Sequence, residues 1–218
     1  MKTPLRYQVC ETDCGITTVL NAISYLYQRE EIEPSLITKI LNLIEVEKIN
    51  IKYNDYRYGM SKYAIEYIGK IINEYSIKNK FSLITKYISK NDMKIQDDEI
   101  TKCLEKGGVV IARVWQDCEH YSLLVKLDNE FGYMFDPYYL DIHEYDNDPD
   151  VQIIKDKPYQ YNRKISILRI NSKTKLDFSL VNNENRDMLL MWKDNTKKDD
   201  WILSAIFFYT YIQLYTII

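Results

Sequence analysis

The stretch YQVCETDCGITTVL carries two cysteines, Cys10 and Cys14, at the threshold of an apolar helical pattern. Three chemistries suit such a pair: metal ligation, half of a disulfide, or one thiol acting as a nucleophile. Only two histidines, His120 and His143, are present to complete any of them. Cys10, Cys14, Cys118 and His120 form two pairs of soft ligands, but C-x₃-C with C-x-H stands at the edge of structural zinc spacings. A catalytic zinc would draw on further His or carboxylate ligands. The expectation is therefore no metal and no cofactor.

The nucleophile reading takes in more residues. A cysteine in the first turn of a helix meets the positive end of the macrodipole and unpaired backbone N–H groups, which favour thiolate. Cys14 stands there, and Gly15 after it is read as leaving room for a substrate. Cys10, Cys103 and Cys118 are read as free, buried thiols. A thiolate nucleophile needs a base, and the base needs an orienting group. His120 opens the apolar segment HYSLLVKL, a strand, and Asp136 closes the next one, GYMFDP. A short turn makes those strands antiparallel, which brings the start of one and the end of the other to the same edge. Gln8, six residues before Cys14, is placed to donate to a developing oxyanion together with the Cys14 N–H. His143, in the polar LDIHEYDNDPD, reads as a surface residue.

The elements that must hold these residues are helical first and extended later. Ile16, Val19, Leu20, Ile23 and Leu26 recur at helical spacing, with Thr12 or Asp13 as N-cap. Pro34 suits the first turn of a second helix with Leu36, Ile37, Ile40, Leu41 and Ile44 on its apolar face. Ser61 caps a third, bearing Tyr63, Ile65, Tyr67, Ile68, Ile71 and Ile72, after a loop containing YNDYRYGM. FSLITKYI reads as a strand, and DDEITKCLEKGG as a short helix ended by glycine. VVIARVW, HYSLLVKL, GYMFDP and RKISILRI read as strands. Helices followed by an antiparallel sheet make an α+β domain over residues 1–170. Residues 171–218 form an extension expected to pack on the same domain, with NRDMLLMW as a short helix and an apolar end. That end is broken by Ser204, Thr210, Gln213 and Thr216, so no membrane span is expected.

The totals narrow the partners. The chain has 218 residues, a net charge of −3 and ordinary globular composition, which gives no electrostatic reason for a nucleic-acid partner. Four cysteines behind a start without a signal-peptide core suggest a reducing, cytoplasmic setting.

With Gln8, Asp13-Cys14-Gly15, His120 and Asp136-Pro137 in place, the chain resembles the C39 cysteine peptidases of the papain-like superfamily over roughly residues 6–170. The resemblance implies a papain-like fold, with the nucleophile helix in an N-terminal helical lobe packed against an antiparallel β-lobe. It implies Cys14 as nucleophile, His120 as base, Asp136 as orienter and Gln8 as oxyanion donor. Many C39 domains are fused to a transporter and cut leader peptides after a double glycine; no transporter segment is read here, and Thr17 replaces the usual small residue. The chain also resembles the cysteine-protease-like amide synthetases of thiotemplated peptide pathways, such as those making closthioamide-type antibiotics. That likeness implies an acyl group delivered as a phosphopantetheine thioester on an acyl or peptidyl carrier protein and passed to an amine. Two activities therefore stay open, amide-forming acyl transfer and hydrolysis of a peptide bond.

Overall fold

The computed structural model describes residues 1–50, 59–181 and 186–194. The first expected helix is α1, Cys14–Leu26, which buries Thr18, Val19, Ala22 and Ile23 along one face. Then come α2 (Pro34–Asn50) and α3 (Lys62–Asn79), the latter capped by Ser61, whose hydroxyl accepts from the Ala64 N–H. In α3 the buried stripe is Ala64, Ile65, Ile68, Gly69 and Ile72. Tyr63 and Tyr67, expected on the apolar face, instead point to solvent. Leu36 and Ile40 of α2 are buried, whereas Leu41 is exposed.

The extended part is one antiparallel sheet. Its strands are β1 (Leu83–Lys90), β2 (Val109–Gln116), β3 (Cys118–Leu127), β4 (Phe131–Phe135), β5 (Val151–Ile153), β6 (Arg163–Ser166) and β7 (Arg186–Lys193). Two short helices lie between strands: α4 (Asp98–Glu105), followed by Gly107 at φ 75°, and α5 (Ile167–Ile170). The strand order is β1-β7-β2-β3-β4-β6-β5. One face of the sheet packs on α1 and α3 through Val109, Ile111, Leu123, Phe135, Leu189 and Met191, with α2 packed against α3. The other face packs on α4, α5 and Phe178 through Val110, Ala112, Leu124, Met134, Met188 and Leu190. Burial on both faces explains why β2 and β7 read as mostly apolar runs rather than alternating ones, with Arg113 of β2 ion-paired to Asp187 of β7.

The chain is thus α+β with an antiparallel sheet, and two expectations about its elements need correcting. From Arg186 on, NRDMLLMW is not a helix but β7, pairing with β1 on one side and β2 on the other, while Asn185 lies outside the described residues. RKISILRI is a strand only to Ser166, whose hydroxyl accepts from the Arg169 N–H and starts α5. β7 makes the expected extension from residue 171 contribute a strand inside the sheet. The rest of that extension's apolar end, residues 195–218, lies outside the described residues, as does 51–58 of the loop before α3. Among the described residues no helix is long and apolar enough to cross a membrane.

Candidate active site

Placement of the site begins with the β3–β4 hairpin. Leu123 pairs with Phe135 in antiparallel register, so Asp136, just past β4, lies beside the early part of β3, where His120 stands. There His120 Nε2 and Asp136 Oδ1 are 2.6 Å apart, with His120 5% exposed and Asp136 fully buried. Helix α1 is held across β3 by a hydrogen bond from the Thr18 hydroxyl to the Tyr121 carbonyl, 2.9 Å. That contact sets the N-terminus of α1, and with it Cys14, at the same sheet end as His120. Cys14 is 4% exposed and close enough to His120 to act on its imidazole. Since Nε2 is held by Asp136, Nδ1 is the imidazole nitrogen left to serve the thiol.

The electrostatics follow from this arrangement. Burial by itself would push the His120 pKa down, but the Asp136 carboxylate, and after it the Cys14 side chain, carry it up to about 10. Burial would raise Asp136; His120, then Arg163 and the Tyr138 N–H, hold its carboxyl below the usual range. A buried imidazole beside a carboxylate and a thiol is the grouping that nucleophile, base and orienter require.

The segment before α1 completes the site. Two hydrogen bonds of 2.8 Å join the Asn21 side chain to the Arg6 backbone, and the Gln8 N–H donates to the Pro137 carbonyl at 2.8 Å. The segment carrying Gln8 is therefore tied to α1 at Arg6, and to the residue after Asp136 at Gln8 itself. Its Nε2 donates to the Cys10 carbonyl at 2.9 Å, and Oε1 is buried without a hydrogen-bond partner. An amide nitrogen carries two N–H groups, so the second is still free to donate to an oxyanion. Asp13 occupies the N-cap position, but its side chain does not cap the helix. It turns back to accept from the N–H groups of Val9 and Cys10, both at 3.1 Å. The first-turn N–H groups of α1 are consequently left without a side-chain acceptor, which suits them to stabilise negative charge at Cys14.

Three expectations change here. The space above Gly15 is taken: an added Cβ would lie 2.7 Å from Met60 Cβ and 3.3 Å from Tyr121 Cδ2. Gly15 is small to let α1 pack on Met60 and the sheet, not to admit a substrate. The residue that leaves space near the thiol is Gly59, where a Cβ would stand 3.8 Å from Cys14 Sγ. Cys10 and Cys118 are exposed rather than buried, because one lies in the loop before α1 and the other at the β2–β3 turn. Cys103 is buried against β7, and His143 is exposed, as expected.

Cys118 stands two residues before His120, and its thiol pKa is raised by burial and then by the charges of Cys14, Asp117, Glu11 and Glu119. Glu11 of the pre-α1 loop and Asp117 and Glu119 near the β2–β3 turn are thus close enough to act on Cys118, and Glu119 also pairs with Arg113 at 2.8 Å. Among the described residues no group of three or more His, Cys, Asp or Glu side chains converges as a metal site. Sequence reasoning passed over Asn162, Arg163 and Gln116, all of which contact Asp136. The signal was an Asn-Arg pair opening the apolar segment of β6, polar where a buried strand begins. No model of a known protein family matches this chain and no curated protein matches it, so what the site does rests on its own side chains.

Proposed function

We propose that this chain is a cysteine-nucleophile acyltransferase of C39-like, papain-like type, forming an acyl-Cys14 thioester and passing the acyl group to an amine. The observation that carries the reading is the buried His120–Asp136 pair at 2.6 Å with the buried Cys14 close enough to act on the imidazole. The Cys14 thiolate attacks the carbonyl of a thioester, for which an acyl group on a carrier-protein phosphopantetheine is the natural donor. Negative charge develops on the carbonyl oxygen, beside the first turn of α1 and the free N–H of Gln8.

Collapse of the tetrahedral intermediate expels the carrier thiolate, and His120 supplies its proton. Acylation removes the Cys14 charge that helps hold the imidazolium, so His120 releases that proton more readily once the acyl bond has formed. The neutral imidazole, held in one orientation by Asp136, then takes a proton from an incoming amine as it attacks acyl-Cys14. The amide leaves and Cys14 is regenerated. A thioester needs no expulsion of a poor amine leaving group, and a site this buried favours a bound amine over bulk water.

The test is product analysis. The protein is offered simple acyl thioesters with and without a panel of primary amines, and products are read by mass spectrometry. Amide forming faster than free acid supports acyl transfer. Free acid from every thioester, with cleavage of peptides after small residues, would make the chain a peptidase instead.

A further inference from the structure

We propose that Arg163 is a positioning residue of this site, whose buried charge holds Asp136 as an aimed carboxylate and so acts on Cys14 through His120. The inference rests on Cys14 being the nucleophile of the proposed function. Asp136 is fully buried, and an isolated carboxylate there would become protonated rather than stay charged. Protonated, it could no longer stabilise an imidazolium at His120.

The β6 dipeptide Asn162-Arg163 prevents this from two directions. Asn162 clamps the backbone: its Oδ1 accepts from the Asp136 N–H at 2.7 Å and its Nδ2 donates to the Asp136 carbonyl at 2.8 Å. Arg163 supplies the charge: Nη2 stands 3.3 Å from Asp136 Oδ2, on the carboxylate oxygen that His120 does not use. The guanidinium is itself fixed, donating to the Tyr138 carbonyl at 2.8 Å and the Asn162 carbonyl at 3.1 Å. With a side chain only 1% exposed, it has little water to dilute its field.

The result is a row, Arg163, Asp136, His120 and the Cys14 thiol, drawn from β6, the end of β4, β3 and α1. The other ionisable groups close to the row are Tyr145, bonded to Asp177 and acted on by both Asp136 and Arg163, Tyr121 near Cys14, and Cys118 with the carboxylates Glu11, Asp117 and Glu119 that act on it. None of these offers a second cation to Asp136. Removing the Arg163 charge should therefore weaken the hold on the imidazolium and, in turn, the ease with which Cys14 ionises.

The experiment reads the thiol directly and needs no substrate. Alkylation of Cys14 by iodoacetamide is followed against pH by peptide mass spectrometry, in the unsubstituted protein and in Arg163→Met, which fills the space without charge. The midpoint of Cys14 labelling should move up by about one pH unit in Arg163→Met, the scale of losing one neighbouring opposite charge. Arg163→Lys, which keeps a charge, should recover at least half of the shift. If Arg163→Met fails to fold by circular dichroism, Arg163→Gln takes its place with the same expectation. A folded, uncharged variant with an unmoved midpoint, or a Lys variant as shifted as the neutral one, overturns the inference while leaving Cys14 as the reactive thiol. Ordinary, slow labelling of Cys14 in the unsubstituted protein overturns the functional reading and this inference with it.

Discussion

Two histidine–aspartate pairs of nearly the same length occur in two regions of this molecule. His120 meets Asp136 at 2.6 Å beneath α1, and His143 meets Asp146 at 2.8 Å in the loop beyond β4. The side chains of the first pair are 6% and 0% exposed, those of the second 78% and 59%. Water competes for the second pair, holding two mobile side chains together costs entropy, and an exposed pair of this kind is worth little. Around the first pair, Asn162 fixes the Asp136 backbone, Arg163 stands against its carboxylate, and Cys14 is close enough to act on the imidazole. Distance alone therefore does not mark a catalytic pair; exclusion of water and a third reactive partner do.

The largest effect that can break this comparison comes from the histidines themselves. His120→Ala should lower turnover by about 10⁴-fold or more, because nucleophile and base fail as a unit. His143→Ala should leave turnover within about twofold, as expected of an exposed side chain away from the site. Initial-rate measurements on the two variants check both, and a silent His143→Ala enzyme would reverse the assignment.

A smaller effect should appear in stability. The folded-state pKa of His120, about 10, stands above the ordinary 6.5. Its contribution to stability is present in full below about 6.5 and is lost as pH rises toward about 10, because the unfolded chain gives up that proton first. Urea midpoints should fall between pH 6 and pH 9.5, and His120→Ala should flatten that fall while His143→Ala preserves it. A fall that is just as steep in His120→Ala would mean that another group titrates.

Much of the site was legible in the sequence because chemistry restricts it. A helix N-terminus for the thiol, and a hairpin short enough to force antiparallel strands, place Cys14, His120 and Asp136 without tertiary knowledge. Supporting residues were less visible. Arg163 and Asn162 matter only because β6 pairs with β4, a register that local pattern does not specify. Strand β7 was read as a helix because Asp187, Met188, Leu189, Leu190 and Met191 lack β-branched residues. What makes it a strand is the place between β1 and β2, buried on both faces, where packing outweighs propensity. Gly15 was misread because Met60, far along the chain, fills the space that its missing side chain opens.

Which sulfur carries the acyl group is the question that separates Cys14 from every other thiol in the chain. Exposed Cys10 and Cys118 flank the site and buried Cys14 lies inside it, so ordinary thiol accessibility and the proposed chemistry point to different residues. The protein is given an acyl thioester without amine, quenched in acid, digested, and mapped by mass spectrometry. The acyl mass should appear on the peptide at Cys14, vanish in His120→Ala, and persist in His143→Ala. An acyl group found on Cys10 or Cys118 with Cys14 unmodified would contradict the central claim.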